Sequence, residues 1–186
     1  MKVLIASDLH GSAAATRKLV ARVEAEQPDT LLLLGDILYH GPRNPLPEEY
    51  FPKEVVALLE PYAKRIVAVQ GNCDAEVDDW MFEWSLLNAT QTIEDTNAGV
   101  TLFATQGHRP GLNPLEPEEL QPLPERCVFC SGHTHVKVLE KQGEVLFVNP
   151  GSMGIPKDDG PAYALYENGT VWLKTPDGTE LSKLSL

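Results

Sequence analysis

A chain of 186 residues that is 42% hydrophobic and 23% charged has the make-up of a globular protein with room for a sizeable core. Its formal net charge of −12 sets repulsion over most of its surface against a long nucleic acid, which argues against a duplex-binding protein. No stretch approaches the roughly 20 apolar residues of a membrane span, Asp8 breaks the first apolar run too early for a signal peptide, and three cysteines make no disulfide framework, so the expected compartment is the cytoplasm.

Lys2–Ser7 is a short apolar run and predicts a buried strand. Ser12–Glu26 has helical character, with Ala14, Leu19, Val20 and Val23 on or near one face and Pro28 as the stop. Thr30–Leu34 predicts a second buried strand, ending at Gly35-Asp36. Tyr39 to Pro52 holds four prolines and predicts a loop; Lys53–Leu59 predicts a short helix. Arg65–Val69 predicts a third strand, ending at Gly71-Asn72. This βαβ(loop–α)β order implies a mostly parallel sheet with helices on its faces, and ligands of such sheets gather outside the carboxyl ends of the strands.

The second half changes character. Val100–Thr105, Cys127–Ser131, Val136–Lys141, Val145–Val148, Ala162–Tyr166 and Val171–Lys174 predict short strands, with hairpin turns at Glu140–Glu144 and Glu167–Thr170. A second sheet, richer in antiparallel pairs, is expected. With no repeat, linker or low-complexity segment, residues 1–186 read as one domain.

Four of the five histidines lie in short motifs: Asp8-Leu9-His10, Gly107-His108 and Gly132-His133-Thr134-His135, with Gly35-Asp36 and Gly71-Asn72-Cys73-Asp74 between the first two. Each motif alone is a common turn. The set supplies seven oxygen or imidazole ligands at the ends of apolar runs: Asp8, His10, Asp36, Asn72, His108, His133 and His135. Carboxylate and carbonyl oxygens with imidazoles suit Mn²⁺, Fe²⁺ or Zn²⁺, and the pattern points to two divalent cations and metal-assisted hydrolysis. Two such cations need a bridging carboxylate, and Asp36 is the natural one, because its strand lies between the other two in sequence. The cations bring four positive charges; Asp8 and Asp36 cancel two and a bridging hydroxide a third. The remainder suits a phosphoryl anion.

These motifs resemble the signature of the calcineurin-like metallophosphoesterases, and the chain resembles most the small bacterial and archaeal phosphodiesterases of the YfcE/MJ0936 type. The match runs in family order from residue 8 to 135, and Asn149-Pro150-Gly151-Ser152 extends it. The resemblance implies an α/β fold, a four-layer αββα sandwich of two mixed β-sheets with the dimetal site at one end. It implies one metal held by Asp8, His10, Asp36 and His135 and another held by Asp36, Asn72, His108 and His133. Manganese is the metal it favours, with Fe²⁺, Zn²⁺ or Ni²⁺ as others open to the same ligands. The activity implied is hydrolysis of small phosphodiesters by a hydroxide bridging the two metals. A phosphomonoesterase, a nucleotide pyrophosphatase and a non-catalytic metal-binding scaffold of the same fold are the alternatives. Homo-oligomers are common in the group.

The chain departs from the family pattern at one place. Many members carry His after the Asn, read as the general acid; here the residue is Cys73. A thiol suits that role less well at neutral pH than an imidazole, which leaves Cys73 either a catalytic group on leaving groups that need little protonation or a small apolar filler. His40 and Arg43 follow Asp36 on a loop leaving the same strand end, so one of them is expected to face the substrate phosphate, against the alternative of a loop-bracing His and a solvated Arg. Cys127 and Cys130 are expected to be buried strand residues rather than a metal or redox pair. Trp80, Phe82 and Trp84 read as core or as an apolar edge for a dimer.

Overall fold

The computed structural model describes residues 1–109 and 123–186. The first strand, β1 (Lys2–Ala6), leads through a tight turn into the helix α1 (Ala13–Glu26), whose cap Ser12 accepts a hydrogen bond from the Ala15 amide at 3.1 Å. Strand β2 (Thr30–Leu33), helix α2 (Pro52–Leu59, with its proline in the first turn) and, after a 3₁₀ turn, strand β3 (Ile66–Ala68) follow. A four-residue helix α3 (Glu76–Asp79) precedes β4 (Thr90–Asp95) and β5 (Val100–Thr105). Beyond residue 122 come β6 (Cys127–Cys130), β7 (Lys137–Gln142), β8 (Val145–Pro150), β9 (Tyr163–Glu167), β10 (Thr170–Lys174) and β11 (Glu180–Ser185).

The strands form two mixed sheets, ordered β11-β10-β9-β1-β2-β3 and β4-β5-β6-β8-β7. β1, β2 and β3 are parallel, as their connections require, but β9 docks antiparallel on the free side of β1. This corrects the sequence expectation that the second half of the chain builds its own, more antiparallel sheet. β9, β10 and β11 return to the first sheet, and the second keeps parallel pairs at β5–β6 and β6–β8. β2 does lie between β1 and β3, with β3 at the sheet edge.

Alternation along the central strands places two apolar layers. Leu4, Ala6, Leu31 and Leu33 meet Leu19 and Val23 of α1 and Val55 and Leu59 of α2. Val3, Ile5 and Leu32, on the opposite face, meet Leu102, Val128, Leu146 and Val148 of the second sheet. The helix layer and the two facing sheets match three of the four expected layers. On the other face of the second sheet Phe103, Phe129 and Phe147 stand in register, with ring centroids 5.6 and 5.9 Å apart. Of the residues joining β5 to β6, 110–122 lie outside the described residues. Among the described residues no helix is long and apolar enough to cross a membrane.

Candidate metal centre

The carboxyl ends of β1, β2 and β3 and the turns after β5 and β6 meet at one edge of the sandwich. Asp8, His10 and His135 are brought together there, fully or almost fully buried, with their ligand atoms within 4.8 Å of one another. His135 Nε2 is 3.3 Å from Asp8 Oδ1, and His10 Nε2 is 3.6 Å from the same oxygen. The two Nε2 atoms are 3.2 Å apart. Each ring donates its other nitrogen to a backbone carbonyl, His10 Nδ1 to Tyr39 at 2.8 Å and His135 Nδ1 to Ile155 at 2.6 Å. A carbonyl only accepts, so in the neutral rings both Nε2 atoms carry lone pairs and point them at each other and at a carboxylate. Asp8 Oδ1 is buried and accepts no hydrogen bond among the described residues. Only a positive charge reconciles these atoms, and oxygen plus imidazole donors fit a divalent cation.

The same pull shows in the proton affinities. Burial disfavours charge on His10, yet Asp8, the Tyr39 carbonyl and Asp36 together raise its pKa. Burial alone would raise Asp8, but the rings of His10 and His135 and the Ser7 hydroxyl hold it well below the usual carboxylate range. Ser7 Oγ donates to Asp8 Oδ2 at 2.5 Å, and the His133 amide donates to the same oxygen at 3.1 Å. The second carboxylate oxygen is thus fixed while Oδ1 is left aimed inward.

Asp36 stands at the hinge of the site. Its Oδ2 is 3.7 Å from His10 Nε2, and its Oδ1 accepts from the Cys73 amide at 2.8 Å. Burial, with the negative charges of Asp8 and Asp74, pushes its carboxyl up to about 7. Asn72 is exposed, and its Oδ1 accepts from Gln106 at 3.5 Å. His108 and His133 face each other with ring centroids 6.1 Å apart; burial lowers the pKa of both, so both offer a neutral ring at pH 7. The structure therefore gathers Asp8, His10, His135 and Asp36 tightly, and Asn72, His108 and His133 more openly beside them. Arg109, next in the chain, donates to His108 Nε2 at 3.3 Å and to Gln70 at 2.8 Å.

Five of these residues have a left-handed backbone: Asp8 (φ 56°), His10 (49°), Asp36 (55°), His133 (68°) and His135 (61°). Such a conformation costs a residue with a side chain about 1–2 kcal/mol. Five of the eight described non-glycine residues with positive φ coincide with proposed ligands, so the strain is concentrated where side chains must converge. Two glycines allow the convergence. A Cβ on Gly71 would lie 2.0 Å from Asp36 Oδ1, and one on Gly132 would lie 2.0 Å from Ser7 Oγ. Neither the Asp36 carboxylate nor the Ser7 hydroxyl could stand where it does beside any larger residue, and Asp8 Oδ2 would lie only 2.9 Å from the Gly132 Cβ.

Several supporting residues lie outside the proposed ligand set. Asp74 is buried and accepts from the amides of Asp36 (2.7 Å), Ile37 (2.9 Å) and Gly71 (2.7 Å). Burial pushes its carboxyl up to about 6 against the pull of those three donors. Gln106, fully buried, accepts at Oε1 from His108 Nδ1 at 2.6 Å and so fixes that ring's tautomer. Ser152 donates to the Asp8 carbonyl at 2.7 Å and accepts from the Ile155 amide at 2.8 Å. Asn149 donates to the Gly132 carbonyl at 2.8 Å, so the Asn149–Ser152 segment braces the ligand turns as its position in the sequence suggests.

A cleft of about 920 Å³ opens over this group, lined by Asp36, Asn72, Cys73, His133 and His135 and by two cationic residues, Arg43 and Lys157. Lys157 is held by its amide, which donates to the His135 carbonyl at 3.0 Å. His40 is not among the residues lining the cleft; its ring lies edge-on between Tyr39 and Tyr50, with centroids 4.8 and 5.2 Å away. Of the two phosphate-facing candidates on this loop, the structure puts Arg43 at the cleft and His40 behind it. Cys73 lines the cleft, with its sulfur within 4.8 Å of ligand atoms of His10 and Asp36. Burial, then the charge of Asp36, pushes its thiol up to about 12. Cys127 and Cys130 are buried and free, away from the cleft. Phe82 and Trp84 stack at 4.2 Å against the core, whereas Trp80 is 77% exposed. Most of the loop at 109–124 lies outside the described residues.

Comparison with known proteins gives this geometry a family. Residues 1–170 match the model of the calcineurin-like phosphoesterase superfamily domain. The chain belongs to that superfamily. Phosphodiesterase YfcE of Escherichia coli (strain K12) is 40% identical over 172 residues, covering 92% of this chain and 90% of that protein. Phosphodiesterase MJ0936 of Methanocaldococcus jannaschii is 27% identical over 158 residues, covering 81% of this chain and 83% of that protein. The solved structure of Yfce, a phosphoesterase from E. coli, superposes with a TM-score of 0.89 at 37% identity, covering 100% of this chain and 99% of that one. The fold is that of the metallophosphoesterases, and membership in the superfamily makes this chain a hydrolase that uses divalent metal.

Proposed function

We propose that the protein is a dinuclear metal-dependent phosphodiesterase acting on small phosphodiesters. The observation that carries the reading is the buried meeting of Asp8 Oδ1 with the Nε2 atoms of His10 and His135, themselves 3.2 Å apart, which calls for a cation. Asp8, His10, Asp36 and His135 would hold one metal and Asp36, Asn72, His108 and His133 the other, with Asp36 shared. Mn²⁺ is the metal we favour, since no thiolate is required and the donors are oxygen and imidazole. Bound cations would supply Lewis-acid charge to the phosphoryl oxygens and acidify a water for attack.

The chain's own residues supply the rest. Arg43 and Lys157 give the cleft positive charge in a chain of net charge −12, and a phosphodiester anion is the substrate such a pair would orient. Gln106 and the Tyr39 and Ile155 carbonyls hold the ring tautomers that keep a lone pair on Nε2. Cys73 keeps its proton at neutral pH, so it can donate a hydrogen bond to an ester oxygen but is a poor proton donor in the leaving step. Diesters whose leaving group is already acidic therefore suit this site best.

We also read residues 1–186 as one domain, because β9–β11 complete the sheet that β1 begins. The three free cysteines accord with the reducing cytoplasm. The test of the function is hydrolysis by metal-stripped protein titrated with Mn²⁺. Metal-dependent cleavage of bis-p-nitrophenyl phosphate, with little of p-nitrophenyl phosphate, is expected. Preference for the monoester would move the assignment to a phosphomonoesterase, and no turnover with two metals bound would make the chain a scaffold.

A further inference from the structure

Beside the metal cleft lies a second chamber of about 410 Å³ with a different character. Its walls are Tyr39, Tyr50, Pro52, Val56, Val77 and Met81, with Lys53 and Asp78 as the charged groups at its edge. The two chambers adjoin: Tyr39, Cys73 and Ala75 line both. Its apolar surface is open to solvent, with Val77 58%, Met81 47% and Tyr39 40% exposed. A concave apolar chamber of a few hundred Å³ opening onto convergent polar groups has the form of a small-molecule site.

We propose that this chamber is the subsite for one ester group of the substrate, and that the group it takes is an aromatic ring. The proposal rests on the phosphodiesterase reading of the adjoining cleft. Two tyrosine rings and the thioether of Met81 suit a flat aromatic face, since aromatic edges and sulfur both pack well against a ring. Cys73 stands at the junction, so a phosphate held among Arg43, Lys157 and the metal ligands would send its ester oxygen past the thiol and the ring into the chamber. A second copy of the chain is a poorer occupant. Glu76, Asp78, Asp79 and Glu83 surround the exposed Val77, Trp80 and Met81, and a twofold contact there would set like charges against each other.

The experiment has two arms. In the first, kcat/KM is measured for phenyl p-nitrophenyl phosphate and methyl p-nitrophenyl phosphate, which expel the same leaving group, on wild type and on V77N/M81Q. Both substitutions lie at exposed positions and leave the net charge unchanged. Wild type should prefer the phenyl ester by about tenfold or more, the discrimination a shaped apolar pocket provides, and the variant should lose most of that ratio. In the second, metal-stripped protein is titrated with p-nitrophenol while the methyl resonances of Val56, and in wild type also Met81, are followed by NMR. Saturable shifts that V77N/M81Q weakens support the subsite. Cleavage of both diesters with no phenyl preference and no shifts would overturn the subsite and leave the phosphodiesterase standing. Shifts without cleavage of either diester would overturn the phosphodiesterase, and the ester-group assignment with it. A dimer that V77N/M81Q converts to monomer would give the chamber to a second copy instead.

Discussion

The clearest test of how the fold builds the site is Asp74, which lies outside the proposed ligand set. Its carboxylate ties the turn after β3 to the turn after β2 through the amides of Asp36, Ile37 and Gly71. Replacing it with Ala leaves three amide donors without a partner. Hydrogen bonds to a charged group are worth about 2 kcal/mol each, or about 6 together, if they add. The buried carboxyl, raised to about 6, costs the fold about 3 kcal/mol of this at pH 8, where it is ionised. A net loss of about 3 kcal/mol is expected for Asp74→Ala. In a chain of this size that is a fall in Tm of about 6–12 °C. Asp74→Asn should fall about half as far, because its one amide oxygen can still accept from the Asp36 and Gly71 amides, which share Oδ2. Both variants should bind Mn²⁺ about tenfold or more weakly, since the Asp36 backbone at φ 55° loses its clamp. Thermal melts of stripped protein and calorimetric Mn²⁺ titrations read both effects. A Tm within 3 °C of wild type for Asp74→Ala, with unchanged metal affinity, would refute the clamp.

Three further outcomes follow from the same geometry. Asp36 has a carboxyl near 7 in the fold against about 4 in an unfolded chain. The stripped fold therefore binds the extra proton, and its stability falls as pH rises from about 4 to 7. Because a cation must displace that proton, Mn²⁺ affinity should climb by up to about tenfold per pH unit below 7 and level off above; affinity independent of pH between 5 and 7 would count against a metal-bound Asp36. Gln106→Leu removes the acceptor of His108 Nδ1 and the donor to Asn72, so calorimetry should show one Mn²⁺ site weakened about 10–100-fold and the other retained. Equal loss at both sites would place Gln106 outside the second metal's support. Cys73→His should raise turnover of an unactivated cyclic nucleotide by giving the leaving oxygen an acid of suitable pKa; no gain would show that Cys73 stands clear of the leaving group.

The proposed ligands were legible because each sits where an apolar run stops at a glycine-containing turn, and the structure does bring Asp8, His10, Asp36 and His135 to one place. Two strands were not legible. β4 (Thr-Gln-Thr-Ile-Glu-Asp) and β11 (Glu-Leu-Ser-Lys-Leu-Ser) are the outer strands of their sheets, with one free edge each and little apolar face to bury, so neither carries a strong alternation. The return of β9 to β1 was also hidden, since pairing across more than 150 residues leaves no local pattern. The supporting residues stayed silent for another reason. Gln106 and Ser7 work by one or a few hydrogen bonds to neighbours distant in sequence or to the ligands themselves, and a lone polar residue beside a motif looks like a turn; Asp74 stood within the Gly71-Asn72-Cys73-Asp74 motif, which did not show its grip on three amides. His40 shows the converse. Proximity in sequence to Asp36 suggested the cleft, but two flanking tyrosines turn its ring away and leave Arg43 there.

The central claim is that these seven residues hold two cations that share Asp36. Anomalous X-ray diffraction from crystals of Mn²⁺-loaded protein tests it most directly. The account predicts two manganese peaks in the cleft, one against Asp8, His10 and His135, the other against Asn72, His108 and His133, with the Asp36 carboxylate touching both. A single peak, or ions bound away from Asp36 at saturating Mn²⁺, would contradict it.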